Sequence, residues 1–245
     1  MKHTRFAGML FYATVFFLTS CAGGGSEKNT TTDSTAVDST KSVVAPKINT
    51  IVTTPQNMMV AKHKVSNYAK WKPSYDEHDS LRLASGIHSY VIGRGLQDSN
   101  MIMVAVKVDD MAKAKAFSKD PSLKKAMQKG GVIGQPSFSF VTMTFQDTAT
   151  VSSALRARTT YTVKDWDVWQ KAFEEGKQER IDNGIIDRAY GHDVDNDKKV
   201  VVVTILMDTA KAYAYWKSDM LKKRRAAAGV ISDPERFVYR VVQRY

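Results

Sequence analysis

The 245-residue sequence contains one cysteine, six prolines and fourteen glycines. A lone cysteine excludes an intramolecular disulfide and any zinc or iron–sulfur centre built from several thiolates. So little glycine and proline excludes a collagen-like repeat and a Pro/Gly-rich low-complexity chain. Histidine is scarce as well: besides His3 there are only His63, His78, His88 and His192. No two of them are spaced as His-x3-His and no His-Glu-x-x-His helix occurs, so no metal site is expected. Phosphate-binding loops are missing, because Gly93-Arg94-Gly95 lacks a third glycine and no Gly-x4-Gly-Lys-Ser/Thr is present. The Gly-x-Ser-x-Gly elbow of serine hydrolases is absent too. Acidic residues number 25 against 36 Lys and Arg, a formal net charge of +11. With no helix-turn-helix, zinc-finger or RNP pattern, that basicity is not read as nucleic-acid binding. Hydrophobic residues are plentiful, 43% of the chain, enough for one large domain or two modules of roughly 100 residues.

No apolar run is long enough for a permanent membrane span; the longest, Phe6 to Leu18, follows the basic residues Lys2 and Arg5 and has the proportions of a signal peptide. It ends in Leu18-Thr19-Ser20-Cys21, which resembles the bacterial lipoprotein signal. That resemblance implies a signal peptide over 1–20, diacylation of Cys21 and anchoring to the lipid bilayer of the cell envelope. Ala22 in place of an aspartate favours the outer over the inner membrane. From 21 to 57 the composition shifts to Gly23-Gly24-Gly25 and many Ser and Thr residues, with charges that cancel. Such a segment buries too little apolar area to offset its conformational entropy, so a disordered, flexible tether is expected.

The remainder is a duplication. Offset by 98 residues, Val65–Pro136 and Val163–Pro234 align without a gap and are identical at 21 of 72 positions. The shared residues include Trp71/Trp169, Arg82/Arg180, Gly86/Gly184, Gly93/Gly191 and Asp110/Asp208. Repeat 1 is set at 58–143, a joint at 144–155 and repeat 2 at 156–245. Within each copy a period of two gives a strand (58–65; 156–163), and a helical period follows, opened by Asn67 or Asp165 and stopped by Gly86 or Gly184. Two more strands come next (87–94 and 101–108; 185–192 and 199–206). A second helix, capped by Asp110 or Asp208, and a last strand (138–145; 236–243) close the copy. The order β-α-β-β-α-β is ferredoxin-like, with helices on one face of a four-stranded antiparallel sheet. The bare faces call for cover, so the expected fold is α+β: two tandem ferredoxin-like repeats packed sheet to sheet, an intramolecular pseudo-dimeric sandwich or barrel. A single chain is then its own partner and can be monomeric.

The Val65…Trp71…Tyr75-Asp76…His78…Arg82…Gly86 pattern and Asp110…Ala114…Phe117…Pro121…Leu123…Met127…Gly131-Val132 resemble the dimeric α/β-barrel superfamily, and within it the antibiotic biosynthesis monooxygenase-like domains. The resemblance implies a cleft between sheet and helices able to hold a hydrophobic ligand. It does not fix an activity.

Candidate site residues follow from position. His78 lies on the Trp71/Tyr75/Arg82 stripe, and His63 and Tyr161 occupy equivalent strand positions, so these three are the candidates for proton transfer. Against that stands an ordinary structural role, His78 satisfied by Asp76 or Asp79. The stripes Trp71, Tyr75, Arg82 and Trp169, Phe173, Arg180 would line a cleft, with Arg94 and His192 near strand ends as further contacts for an anionic ligand. An Arg–Asp bridge or a helix C-terminal cap would equally explain the retained arginines. Lys222-Lys223-Arg224-Arg225 reads as a solvated basic face. The leading functional expectation is a membrane-anchored lipoprotein that binds a small apolar or aromatic ligand, or a partner, without a cofactor. The alternative is a cofactor-free monooxygenase or isomerase; a haem-handling variant has no ligand signature.

Overall fold

The computed structural model describes residues 49–245. The expected signal peptide, Cys21 and most of the tether lie outside the described residues. No helix among the described residues is long and apolar enough to cross a membrane.

Repeat 1 consists of β2 (Gln56–Val65), α1 (Tyr68–Glu77), α2 (Asp79–Ala84), β3 (Ile87–Gly95), β4 (Met101–Val108), α3 (Met111–Phe117), α4 (Pro121–Lys129) and β5 (Val132–Asp147), preceded by the two-residue β1 (Ile51–Val52). Repeat 2 follows the same plan: β6 (Leu155–Thr162), α5 (Trp166–Glu175), α6 (Lys177–Asp182), β7 (Ile185–Asp193), β8 (Lys199–Leu206), α7 (Thr209–Lys217), α8 (Asp219–Ala227) and β9 (Glu235–Arg244). Each expected helix is thus a pair of shorter ones. The caps are as the sequence implies: Asn67 and Asp165 accept from backbone N–H groups of α1 and α5, and Asp110 and Asp208 from those of α3 and α7. Gly86 and Gly184 have φ of 65° and 70°, a left-handed conformation that ends the helix where an L side chain would be strained.

The strands run in the order β1-β5-β2-β4-β3-β9-β6-β8-β7, and β5 also pairs with β7, so eight strands close into a barrel. The two ferredoxin-like sheets therefore meet edge to edge, through β3–β9 and β5–β7; of the sandwich and the barrel, the barrel is formed. Closure leaves every strand from β2 to β9 with two neighbours and no bare edge. The seams explain the shared Gly93 and Gly191: a Cβ on Gly93 would strike the Tyr239 ring across one seam, and a Cβ on Gly191 the Thr142 carbonyl across the other. Two segments expected outside the repeats are strand: Ile51–Val52, placed in the tether, pairs with Gln146–Asp147, placed in the joint.

Alternation along each strand sorts side chains between two compartments. Met58, Val60, Val91, Met103, Val141, Val201 and Tyr239 fill the barrel interior. On the outside, helices of repeat 1 cover a core around Trp71, Ile87, Ile102 and Val104, and helices of repeat 2 cover one around Trp169, Ile185, Val202 and Leu206. The four consecutive valines of β8, Val200 to Val203, are accommodated because both faces of the strand are covered: Val201 faces inward and Val202 faces the helices.

Candidate functional site

Between the sheet and the helices of repeat 2 lies a partly enclosed cleft of about 70 Å³, several times what a single water needs. Strand β6 contributes Thr159 and Tyr161, and β8 contributes Val202 and Thr204. The helices contribute Trp169, Phe173, Arg180, Tyr215, Trp216 and Arg225, and β9 closes the wall with Arg236. The aromatic stripe of α5 packs tightly, with Trp169 stacked on Phe173 at 5.0 Å between ring centroids. Trp169 Nε1 donates to Tyr161 Oη at 3.0 Å, which orients the phenol, and burial raises the Tyr161 pKa above its ordinary value.

The arginines of this wall fall into two kinds. Arg180 is structural: it donates to both carboxylate oxygens of Asp187 at 2.7 and 2.6 Å and to the Phe173 carbonyl at 2.7 Å, and its guanidinium lies 3.7 Å from the Phe173 ring centroid. Arg224 is held by Glu179 at 2.6 and 2.9 Å. Arg225 and Arg236 have no ion pair among the described residues. Arg236 donates to Thr159 Oγ1 at 3.3 Å and lies 3.9 Å from the centre of the Trp216 ring. Burial pulls its pKa down to about 10, with Arg225 adding to the effect. Burial also lowers Arg225, partly offset by Tyr161 and Tyr215. Both remain cations at neutral pH. No histidine and no carboxylate lines the cleft.

The equivalent place in repeat 1 is packed differently. Positions corresponding to Thr204, Arg225 and Arg236 are Val106, Met127 and Phe138, and Val106 and Phe138 belong to the core under the helices. His63 replaces Tyr161 there, buried at 3% exposure and tilted against Trp71 at 5.5 Å, with neither ring nitrogen bonded. Burial lowers its pKa to about 4, so it is neutral at pH 7. Trp71 stacks on Tyr75 at 5.1 Å. Arg82 lies 3.7 Å from the Tyr75 ring centroid and donates to the Tyr75 carbonyl and to Asp79 at 2.7 and 2.9 Å. The Arg–Asp bridges suggested by the sequence thus exist, but their acids are Asp79 and Asp187; Asp110 and Asp208 are helix caps.

Of the residues nominated from sequence, Tyr161, Trp169, Phe173 and Arg180 come together at one cleft, while His63, Trp71, Tyr75 and Arg82 form its packed counterpart. His78 sits at the junction of α1 and α2 and bonds through Nδ1 to the Ser74 carbonyl at 2.7 Å, not to Asp76 or Asp79. Arg94 lies over the Tyr68 ring and donates to the Ser99 carbonyl. His192 bonds its neighbour's carbonyl and meets Trp166 edge-on; neither it nor Arg94 lines the cleft. Sequence reasoning misses Trp216, Arg236 and the inward turn of Arg224 and Arg225, whose basic run reads as a solvated face. Among the described residues no group of three His, Cys, Asp or Glu could hold a metal ion.

No family model matches the sequence, and no curated protein matches it. Solved structures share its fold. An anthrone oxidase-like protein superposes with a TM-score of 0.51 at 13% identity, over 79% of this chain and 94% of that one. A proposed monooxygenase from Fusobacterium nucleatum gives 0.51 at 12%, over 77% and 93%, and one from Lactobacillus acidophilus 0.50 at 10%, over 76% and 93%. The chain therefore has the dimeric α/β-barrel fold, with both halves supplied by one polypeptide.

Proposed function

We propose that the protein is an envelope-anchored binder of a small aromatic molecule bearing an anionic group, taken up in the cleft of repeat 2. The observation that carries this reading is the pairing of an aromatic wall (Tyr161, Trp169, Phe173, Trp216) with two cations, Arg225 and Arg236, that have no acidic partner among the described residues. Such a wall offers ring stacking, and the guanidinium forks offer directional bonds to a carboxylate. The open space of about 70 Å³ is less than half of the roughly 150 Å³ that accommodates benzene, so a ring enters only as the lining side chains shift. Anchoring is through acylated Cys21, which keeps the barrel at the bilayer surface, the outer membrane being favoured by Ala22.

The cofactor-free monooxygenase or isomerase is the second reading, supported by the names given to structures of the same fold. It requires a group at the cleft that takes a proton. The two histidines nominated for that role lie elsewhere, and Tyr161, a phenol already protonated at neutral pH, is made still harder to ionise by burial, which raises its pKa. Binding is accordingly preferred over turnover.

Isothermal titration of the full chain with benzoate and a panel of larger aromatic carboxylates tests the reading, with product analysis on the same samples. Arg236→Phe, which installs the residue found at the equivalent position 138, is expected to weaken binding at least tenfold while leaving the fold intact. No binding by any member, or equal binding by the variant, would overturn it. Accumulation of a converted product would replace the binder by the enzyme. Metabolic labelling with palmitate, lost in Cys21→Ser, tests the anchor.

A further inference from the structure

The barrel interior carries a second concentration of unpaired positive charge. At β6 positions where repeat 1 has Met58 and Val60, repeat 2 has Arg156 and Arg158, and both point into the lumen with Met58 and Val60. Arg156 is only 2% exposed. Arg188 from β7 and the exposed Arg244 from the end of β9 line the same partly enclosed space of about 60 Å³, along with Gln146 and Tyr239. None of the four arginines has an ion pair among the described residues. Burial pulls Arg156 down to about 10; Tyr239 opposes the shift, while Arg244 and Arg188 add to it. It is still a cation at neutral pH.

A buried charge without a counter-charge is strongly unfavourable, and like charges brought together make it worse. Packing alone does not require a charge at any of the four, because the other half of the barrel fills the same positions with the uncharged Met58, Val60, Tyr90 and Gln146. The guanidinium groups are also held in place. Arg156 Nη1 donates to the Ser153 and Leu155 carbonyls at 2.7 and 2.8 Å, and Arg188 Nη1 to the Ala149 carbonyl at 2.7 Å, so the connection between the repeats fixes them. Deeper in, Arg158 donates to Ser139 at 3.0 Å and keeps a buried Nε without a partner. Outside, a shallow depression of about 260 Å³ shares Arg156 and Arg244 with this space and gives access from solvent.

We propose that this end of the barrel binds a small oxyanion of the phosphate class between Arg156, Arg188 and Arg244. The fixed guanidinium groups of Arg156 and Arg188, with the exposed Arg244 at the mouth, border a space whose size suits a tetrahedral oxyanion, which can accept charge-assisted bonds from three sides. The site is separate from the aromatic cleft, which lies on the opposite face of β6, and either can exist without the other.

The test is thermal unfolding of the purified full-length protein in inorganic phosphate against sodium chloride at matched ionic strength. A rise of about 4 °C is expected at a phosphate concentration about tenfold above its dissociation constant. Arg156→Met, which installs the residue of position 58, should unfold no lower than the parent in chloride and lose the phosphate response; Arg188→Gln is the second variant should Arg156→Met not fold. A parallel titration with glycerol 3-phosphate separates the two sources: equal shifts assign the site to the free ion, a larger shift to an esterified phosphate. Equal stabilisation by chloride, or a phosphate shift retained in either folded variant, overturns the proposal.

Discussion

The two helix-covered regions of the barrel started as copies and are now packed differently. In repeat 1 the cleft is filled, with Phe138 and Val106 in the core and His63 sealed against Trp71. In repeat 2 the same backbone surrounds open space, because Arg225, Arg236 and Thr204 stand where Met127, Phe138 and Val106 stand in its twin. A guanidinium cannot be packed away like a phenyl ring; it keeps its head toward polar surroundings and leaves a gap beside it. The copies differ likewise in how they hold their shared arginine. Arg180 has a fully buried bidentate partner in Asp187, whereas the position equivalent to Asp187 is Ser89, and Arg82 instead uses Asp79, whose side chain is 48% exposed. The repeat that supports an open cleft has the tighter strut beneath it.

Three measurements sharpen this contrast. The largest effect is expected from Asp187→Ala, which strands Arg180 without its counter-charge and should cost about 4 kcal/mol in denaturant unfolding; Asp79→Ala should cost less, about 2 kcal/mol, because its half-exposed carboxylate makes a single bond to Arg82, which keeps the Tyr75 carbonyl and ring as partners. Equal costs would show that the struts are equivalent.

Acid titration of stability comes next and reports on repeat 1. His63 has its pKa lowered to about 4 in the folded protein, against about 6.5 in an unfolded chain. The unfolded state therefore binds the proton first as pH falls. The stability associated with the neutral ring is intact above about pH 6.5 and is lost progressively down to pH 4, about 3 kcal/mol in all. His63→Leu should flatten that part of the profile, while Tyr161, its counterpart in repeat 2, contributes nothing there.

The smallest effect is expected from Tyr161→Phe, which removes the acceptor of Trp169 Nε1 and should cost about 1 kcal/mol. A shift of the tryptophan emission on ligand addition, present in the parent and altered in the variant, would tie that bond to the open cleft.

Much of this was legible from residues alone. The 98-residue offset, the order of strands and helices, the caps at Asn67, Asp165, Asp110 and Asp208, and the stops at Gly86 and Gly184 all depend on interactions within a few residues of chain, which local sequence encodes. Trp169, Phe173 and Arg180 could be placed on one face of a helix by spacing. Arg225 could not, because the basic run it belongs to reads as a solvated helix face, and only the packing of α8 over the sheet turns it inward. Arg236 was equally silent, since an arginine at the start of a strand has no periodic signature.

The sequence by itself determined that two ferredoxin-like units exist and what each strand offers to its two faces, because side-chain alternation and capping are local. Tertiary structure alone decided that the sheets join at their edges. Seam hydrogen bonds between β3 and β9 and between β5 and β7 link backbone groups far apart in the chain and depend little on side-chain identity. Folding of repeat 2 on itself put Arg156 of β6 in one space with Arg188 of β7 and Arg244 of β9, and turned Arg225 of α8 and Arg236 of β9 toward one aromatic wall; charges far apart in sequence become neighbours only once strands and helices have packed.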